Sequence, residues 1–190
     1  MMRAFVALPL EDTARAALGK LIDELRASGM GAKQRVRWVE RNNIHLTLKF
    51  LDAIDEQQVR RVMDAMDTLK GMPAFRMEMH TLGAFPSLAR PRVLWIGIEQ
   101  QEQVRALFDK LEVSIHDLNR EDRPFTAHIT IGRVDGPVDS RGLEKIKKVW
   151  DDTTISNSFV DRVVLFQSIL GPKGAVYRSL YTVELNKEAL

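Results

Sequence analysis

The sequence predicts an α+β fold: one bilobal domain over residues 1–190, with two pseudo-symmetric lobes of mostly antiparallel sheet flanked by helices and a cleft between them. Three observations lead there. Some segments alternate apolar and polar residues with period two, while others carry apolar residues at helical spacing. The resulting order of strand, helix, strand, helix, strand occurs twice, from about residue 3 to 82 and from about 93 to 170. A short pattern also recurs at matching places in the two halves, as His45-Leu46-Thr47-Leu48 and His128-Ile129-Thr130-Ile131, with the histidines 83 residues apart. No low-complexity linker divides the halves, which predicts a site between two lobes of a single domain.

Arg3–Leu8 reads as a buried strand. Ala14, Ala17, Leu18, Leu21, Ile22 and Leu25 then mark a helix over Thr13–Ala27 that stops at Ser28-Gly29. The glycine-bearing, basic stretch from Gly29 to Arg37 reads as a loop. Trp38-Val39 follows, and then a strand over Ile44–Leu51 with the first motif. Asp55 is placed to cap a helix, with Gln58 completing a capping box and Val59, Val62, Met63, Met66 and Leu69 forming its apolar stripe. Phe75, Met77 and Met79 alternate with Arg76, Glu78 and His80, as in a strand with one wet face. Gly83–Pro91 reads as a turn-rich connection and Val93–Ile98 as a strand. Val104, Leu107, Phe108, Leu111, Ile115 and Leu118 mark a helix. A strand over Thr126–Val134 holds the second motif, and a shorter helix is expected from about Asp139. Strands at Phe159–Leu170 and Val176–Leu185, joined by the turn Gly171-Pro172-Lys173-Gly174, end the order.

With 45% hydrophobic and 28% charged residues, neither disorder nor a membrane span is expected. A formal charge of only +2 argues against charge-driven coating of duplex nucleic acid, yet allows a local anion site. The absence of cysteine removes disulfides, thiolate metal sites and a cysteine nucleophile, and suits a cytoplasmic protein. Ala4–Leu10 is broken by Pro9 and runs into Glu11 and Asp12, which does not fit a secretory signal. No obligate protein partner is evident.

In a strand, residues two apart share a face. His45 and Thr47 therefore point one way and Leu46 and Leu48 the other, and the second motif behaves alike. Two imidazoles near one phosphate can serve as base and acid, because imidazole titrates near neutrality. Threonine hydroxyls on the same face can donate to non-bridging phosphate oxygens. A single His-x-Thr on a strand is ordinarily a structural pair, but two copies at matching positions point to a shared site. Histidine also ligates metals, yet neither motif carries a neighbouring carboxylate and there is no His-x-x-x-His. A site without metal or cofactor is the expectation.

The paired His-x-Thr-x motifs resemble the two-histidine phosphoesterase superfamily, and their surroundings resemble its LigT-like branch, the RNA 2′,3′-cyclic phosphodiesterases. The resemblance covers nearly the whole chain. It runs through Arg3-Ala4-Phe5-Val6-Ala7-Leu8, Val36-Arg37-Trp38-Val39, Asn43–Leu51 and Leu82-Gly83-Ala84-Phe85-Pro86. It continues through Arg92-Val93-Leu94-Trp95, Pro124–Arg133, Phe166–Leu170, Gly174 and Tyr177. It implies a bilobal fold, no metal, and hydrolysis of ribose 2′,3′-cyclic phosphate at RNA or nucleotide ends to a 2′-phosphate. Some members join RNA ends by a 2′–5′ linkage. Small cyclic nucleotides as substrates, and a non-catalytic RNA-end-binding module, are the other readings. His45 and His128 match the catalytic histidines, by family habit the proton donor and the base, and Thr47 and Thr130 match the phosphate-contacting threonines. Asp52 stands where the family usually has glycine.

Arg133 is a candidate phosphate ligand, although five positions after His128 simple alternation turns it to the opposite face unless the strand bulges. Lys33, Arg35, Arg37 and Arg41 form a basic stretch suited to steering RNA. Phe50, Phe125 and Trp38 are each read as core residues in preference to base-stacking ones. Tyr177 is positioned to cover the pocket. His80 and His116 read as exposed bystanders.

Overall fold

The computed structural model describes residues 1–27, 35–119, 124–136, 144, 147–148, 150, 153–172 and 174–189. Lys33, the Arg35 side chain and most of the helix expected from Asp139 lie outside the described residues; positions 144, 147, 148 and 150 are helical. The elements are β1 (Met2–Pro9), α1 (Asp12–Ala27), β2 (Arg35–Trp38), β3 (His45–Ile54), α2 (Glu56–Asp67), β4 (Phe75–Phe85) and β5 (Val93–Ile98). They continue with α3 (Gln101–Ile115), β6 (Ile129–Asp135), β7 (Ser156–Val160), β8 (Arg162–Gly171) and β9 (Gly174–Glu184).

The local reasons follow the sequence. Asp55 and Gln58 form the reciprocal capping box that starts α2. The apolar stripe of α1 is buried through Ala14, Leu18, Leu21, Ile22 and Leu25. Every strand pairing is antiparallel, in one sheet of order β7-β4-β5-β6-β3-β1-β8-β9, with β2 paired to β6.

Several boundaries differ from the sequence reading. Arg35–Trp38 is a strand, because β2 finds an open edge on β6. Gly83–Phe85 continues β4 instead of beginning a turn, since β5 pairs along it to Val93. The stretch expected as one strand from Phe159 to Leu170 is two, broken at Asp161. β7 pairs with β4 and β8 with β1, so consecutive strands sit at remote places in the sheet order. With one residue between them, the sheet must curl until its two halves approach each other. The third strand of each repeated unit, β4 or β8, thus pairs beside the first strand of the other unit.

The halves meet at the motif strands through one registered pair, Leu46↔Ile129. Beyond that pair the edge of β6 passes to β2, with Trp38 opposite Gly132 and Arg37 opposite Arg133. β3 and β6 therefore part on either side of the pair, and pockets open beside them. The buried apolar residues behind the sheet form one cluster running from Ala4 to Leu185.

Candidate active site

His45 is the first residue of β3, and His128 immediately precedes β6. Leu46 and Ile129 are fully buried, which turns His45, Thr47, His128 and Thr130 to the opposite face. Continuing the Leu46↔Ile129 register sets Thr47 beside His128 and Thr130 beside His45. The two histidines are then diagonal neighbours, about 7–8 Å apart at their backbones.

Each imidazole is held in the same way. His45 Nδ1 lies 2.7 Å from the Asn43 carbonyl oxygen, and His128 Nδ1 lies 2.7 Å from that of Thr126. A carbonyl can only accept, so Nδ1 carries the proton in both rings and Nε2 is the unprotonated nitrogen of each neutral ring. Nε2 of His45 is 3.0 Å from Thr47 Oγ1, which donates to it when the ring is neutral.

Aromatic walls flank both rings. Phe5 stacks on His45 at 4.8 Å and Tyr177 meets it edge-on at 5.4 Å. Phe85 meets His128 edge-on at 5.0 Å, and Trp95 lies 6.3 Å away. Trp95 reaches this place because Gly83 is opposite it in the β4–β5 register, and a Cβ there would lie 2.1 Å from the indole ring. Desolvation between Phe5 and Tyr177 pushes His45 down to about 4, only partly offset by the Asn43 carbonyl, so the free ring is neutral at neutral pH. Burial raises the Tyr177 phenol, against the pull of Arg133.

Arg133 shares the face of His128 and Thr130. The β5–β6 register runs Leu94↔Gly132 and then Trp95↔Thr130, so Ile131 is an extra residue, and this bulge restores the phase. β3 bulges at the corresponding place: Val6↔Lys49 is followed by Ala7↔Thr47, leaving Leu48 as the extra residue. Phe50, five positions after His45, returns to the histidine face as Arg133 does. It is 43% exposed, so it is a cleft residue and not the core residue expected. Phe125 stacks on Phe108 at 4.1 Å and also lines the cleft, whereas Trp38 is half-buried and packs over Gly132. His116 is exposed. His80 is half-buried instead of exposed, with Nδ1 2.9 Å from Thr81 Oγ1 and Nε2 3.1 Å from a Glu99 oxygen. Arg41 lies against α1 beside Gly19.

Arg3, Phe5, Asn43, Phe85 and Trp95 entered the sequence reading only through the family resemblance, without a role at the site. Phe5 lies in a strand buried on both faces, where alternation gives no signal. Asn43 precedes His45 by two residues, but nothing in its type distinguished it. Its side chain donates to the Ala175 carbonyl at 2.7 Å while its own carbonyl holds His45, so it ties the β8–β9 hairpin to the histidine. Among the described residues, no three His, Asp or Glu side chains converge as a metal-binding set. No described helix is long and apolar enough to cross a membrane.

A family model described as LigT-like phosphoesterase matches the chain twice, at residues 8–95 and 96–177. The chain belongs to the LigT-like phosphoesterases. Two curated relatives named RNA 2′,3′-cyclic phosphodiesterase are similar along almost their whole length. The one from Thermotoga maritima is 33% identical over 95% of this chain and 94% of its own. The one from Archaeoglobus fulgidus is 32% identical over 96% of this chain and 100% of its own. A solved structure from Thermus thermophilus superposes with a TM-score of 0.75 at 26% identity, covering 98% of this chain and 100% of that one. Escherichia coli LigT complexed with 3′-AMP shares the fold, with a TM-score of 0.76 at 21% identity over 98% and 99% of the two chains.

Proposed function

We propose that this LigT-like phosphoesterase hydrolyses 2′,3′-cyclic phosphate ends of RNA to 2′-phosphomonoesters, with His45 and His128 as its acid–base pair and without a metal ion. The observation that carries the reading is the mirrored seating of the two imidazoles, each anchored through Nδ1–H to the carbonyl two residues earlier, with Thr47, which meets His45 Nε2, lining the same pocket as His128. The relatives named RNA 2′,3′-cyclic phosphodiesterase support the substrate class.

In the reaction a water oxygen bonds to phosphorus as the bond from phosphorus to the 3′ oxygen breaks. One Nε2 takes a proton from the water, and the other gives a proton to the departing 3′ oxygen. Thr47, Thr130 and Arg133 hold the non-bridging oxygens whose charge grows at the transition state. By family resemblance His45 is the donor. Its free ring is neutral, so it takes up a proton as the anionic phosphate binds beside Nε2. Among the described residues, Phe5 and Tyr177 flank His45, Phe85 and Trp95 flank His128, and no three His, Asp or Glu side chains converge, which supports a metal-free route.

The test is incubation of a short RNA ending in a 2′,3′-cyclic phosphate with the protein in EDTA, followed by identification of the phosphate position. The reading predicts a 2′-phosphate product at a rate that added divalent cations do not raise. No turnover in EDTA with recovery on adding metal, or a 3′-phosphate product, would overturn it.

A further inference from the structure

Where β3 and β6 part, the cleft widens into two arms of opposite chemistry. One arm, of about 400 Å³, is lined by Leu48, Phe50, Phe85, Pro124 and Phe125 with Thr47 and His128 at its inner end. The other, of about 700 Å³, is lined by Arg3, Arg37 and Arg133 together with Asp52, Ser168 and Tyr177. Phe50 lines both.

The basic arm has features of an anion site. Arg37 and Arg133 are direct cross-strand partners in the β2–β6 register, so two like charges share one face. Like charges placed opposite each other repel, and the Asp135 carboxylate offsets this from the Arg37 side. Arg133 has no carboxylate partner among the described residues. Arg3 is 3.7 Å from Asp52 and Arg37 is 3.0 Å from Asp135, with all four side chains at least half exposed. Such pairs hold little free energy in water and yield readily to a phosphate.

We propose that this depression is a second phosphate subsite held by Arg3 and Arg37, with Arg133 at its border left to the cyclic phosphate. It holds the phosphodiester joining the terminal nucleotide to the rest of an RNA strand, while the apolar arm takes the terminal base. The inference rests on the reading of the site as one for cyclic-phosphate RNA ends, and it names the preferred substrate as an oligonucleotide and not a mononucleotide.

The experiment compares kcat/KM for a dinucleotide ending in a 2′,3′-cyclic phosphate with that for the mononucleoside 2′,3′-cyclic phosphate, using wild type, Arg3→Ala and Arg37→Ala. Wild type is expected to prefer the dinucleotide by about tenfold, with the preference shrinking as salt rises. Each variant is expected to raise KM for the dinucleotide several-fold and leave mononucleotide turnover unchanged. Equal efficiency on both substrates in wild type, or equal loss on both in the variants, overturns the subsite. Turnover of neither substrate would refute the proposed function instead. The subsite is then judged by fluorescence anisotropy: a dinucleotide 2′-phosphate should bind more tightly than a 2′-mononucleotide, and Arg37→Ala should abolish the difference. Binding of ATP as tight as that of the dinucleotide and equally sensitive to Arg37→Ala would mark a polyphosphate pocket and overturn the assignment.

Discussion

His45 binds its proton weakly because Phe5 and Tyr177 take the place of water around it, while the Asn43 carbonyl fixes its tautomer. With the folded value near 4 against an ordinary value of 6.5, the unfolded chain binds the extra proton between those limits. Stability from this group is therefore complete above about pH 6.5 and is lost as pH falls toward 4, by about 3 kcal/mol in all. Denaturant melts of wild type and His45→Asn across that window should show a steeper acid decline in wild type. Proton uptake on binding a nucleotide 2′-phosphate near pH 6, measured by calorimetry in buffers of different ionisation enthalpy, should vanish in His45→Asn. Asp52 has φ of 55°, so the strand crosses into the left-handed region there, a conformation that suits the glycine the resemblance leads one to expect. Asp tolerates that region better than most side chains. Asp52→Gly should leave stability within about 1 kcal/mol of wild type, whereas Asp52→Val should lose about 1–2 kcal/mol in urea unfolding.

At the scale of elements, the bulges in β3 and β6 decide which side chains reach the cleft. Period-two alternation made His45, Thr47, His128 and Thr130 legible in the sequence, because each pair lies before the bulge. It misdirected Arg133 and left Phe50 assigned to the core, since an extra residue in a strand has no signature in composition. The position of Asn43 between the β8–β9 hairpin and His45 was equally hidden, because it depends on a carbonyl far along the chain. Asn43→Ala should lower kcat and shift the acid limb of the pH–rate profile, with Asn43→Asp failing to restore the donor bond to Ala175. On the other side of β3, the buried Lys49 ammonium pairs with Glu112 of α3 at 2.5 Å. Removing one partner strands a charge in the core, so Glu112→Ala should cost about 2–3 kcal/mol. Lys49→Met combined with Glu112→Leu should recover most of that loss in the same melts.

At the scale of the molecule, the repeated order of elements was legible because each unit keeps its own periodicities. The exchange of third strands was not, because pairing partners are set by the curl of the whole sheet and not by any segment. That curl is what sets the two motif strands side by side at one pair, Leu46↔Ile129, with a histidine diagonal on each side. Two imidazoles brought together in this way should act as a unit and not as independent contributors. The most direct measurement is kcat/KM on a cyclic-phosphate oligonucleotide in EDTA for His45→Asn, His128→Asn and the double variant, each shown to be folded by its thermal transition. The account predicts a loss of at least about a hundredfold in either single variant and little further loss in the double. Wild-type activity in either single variant would contradict it.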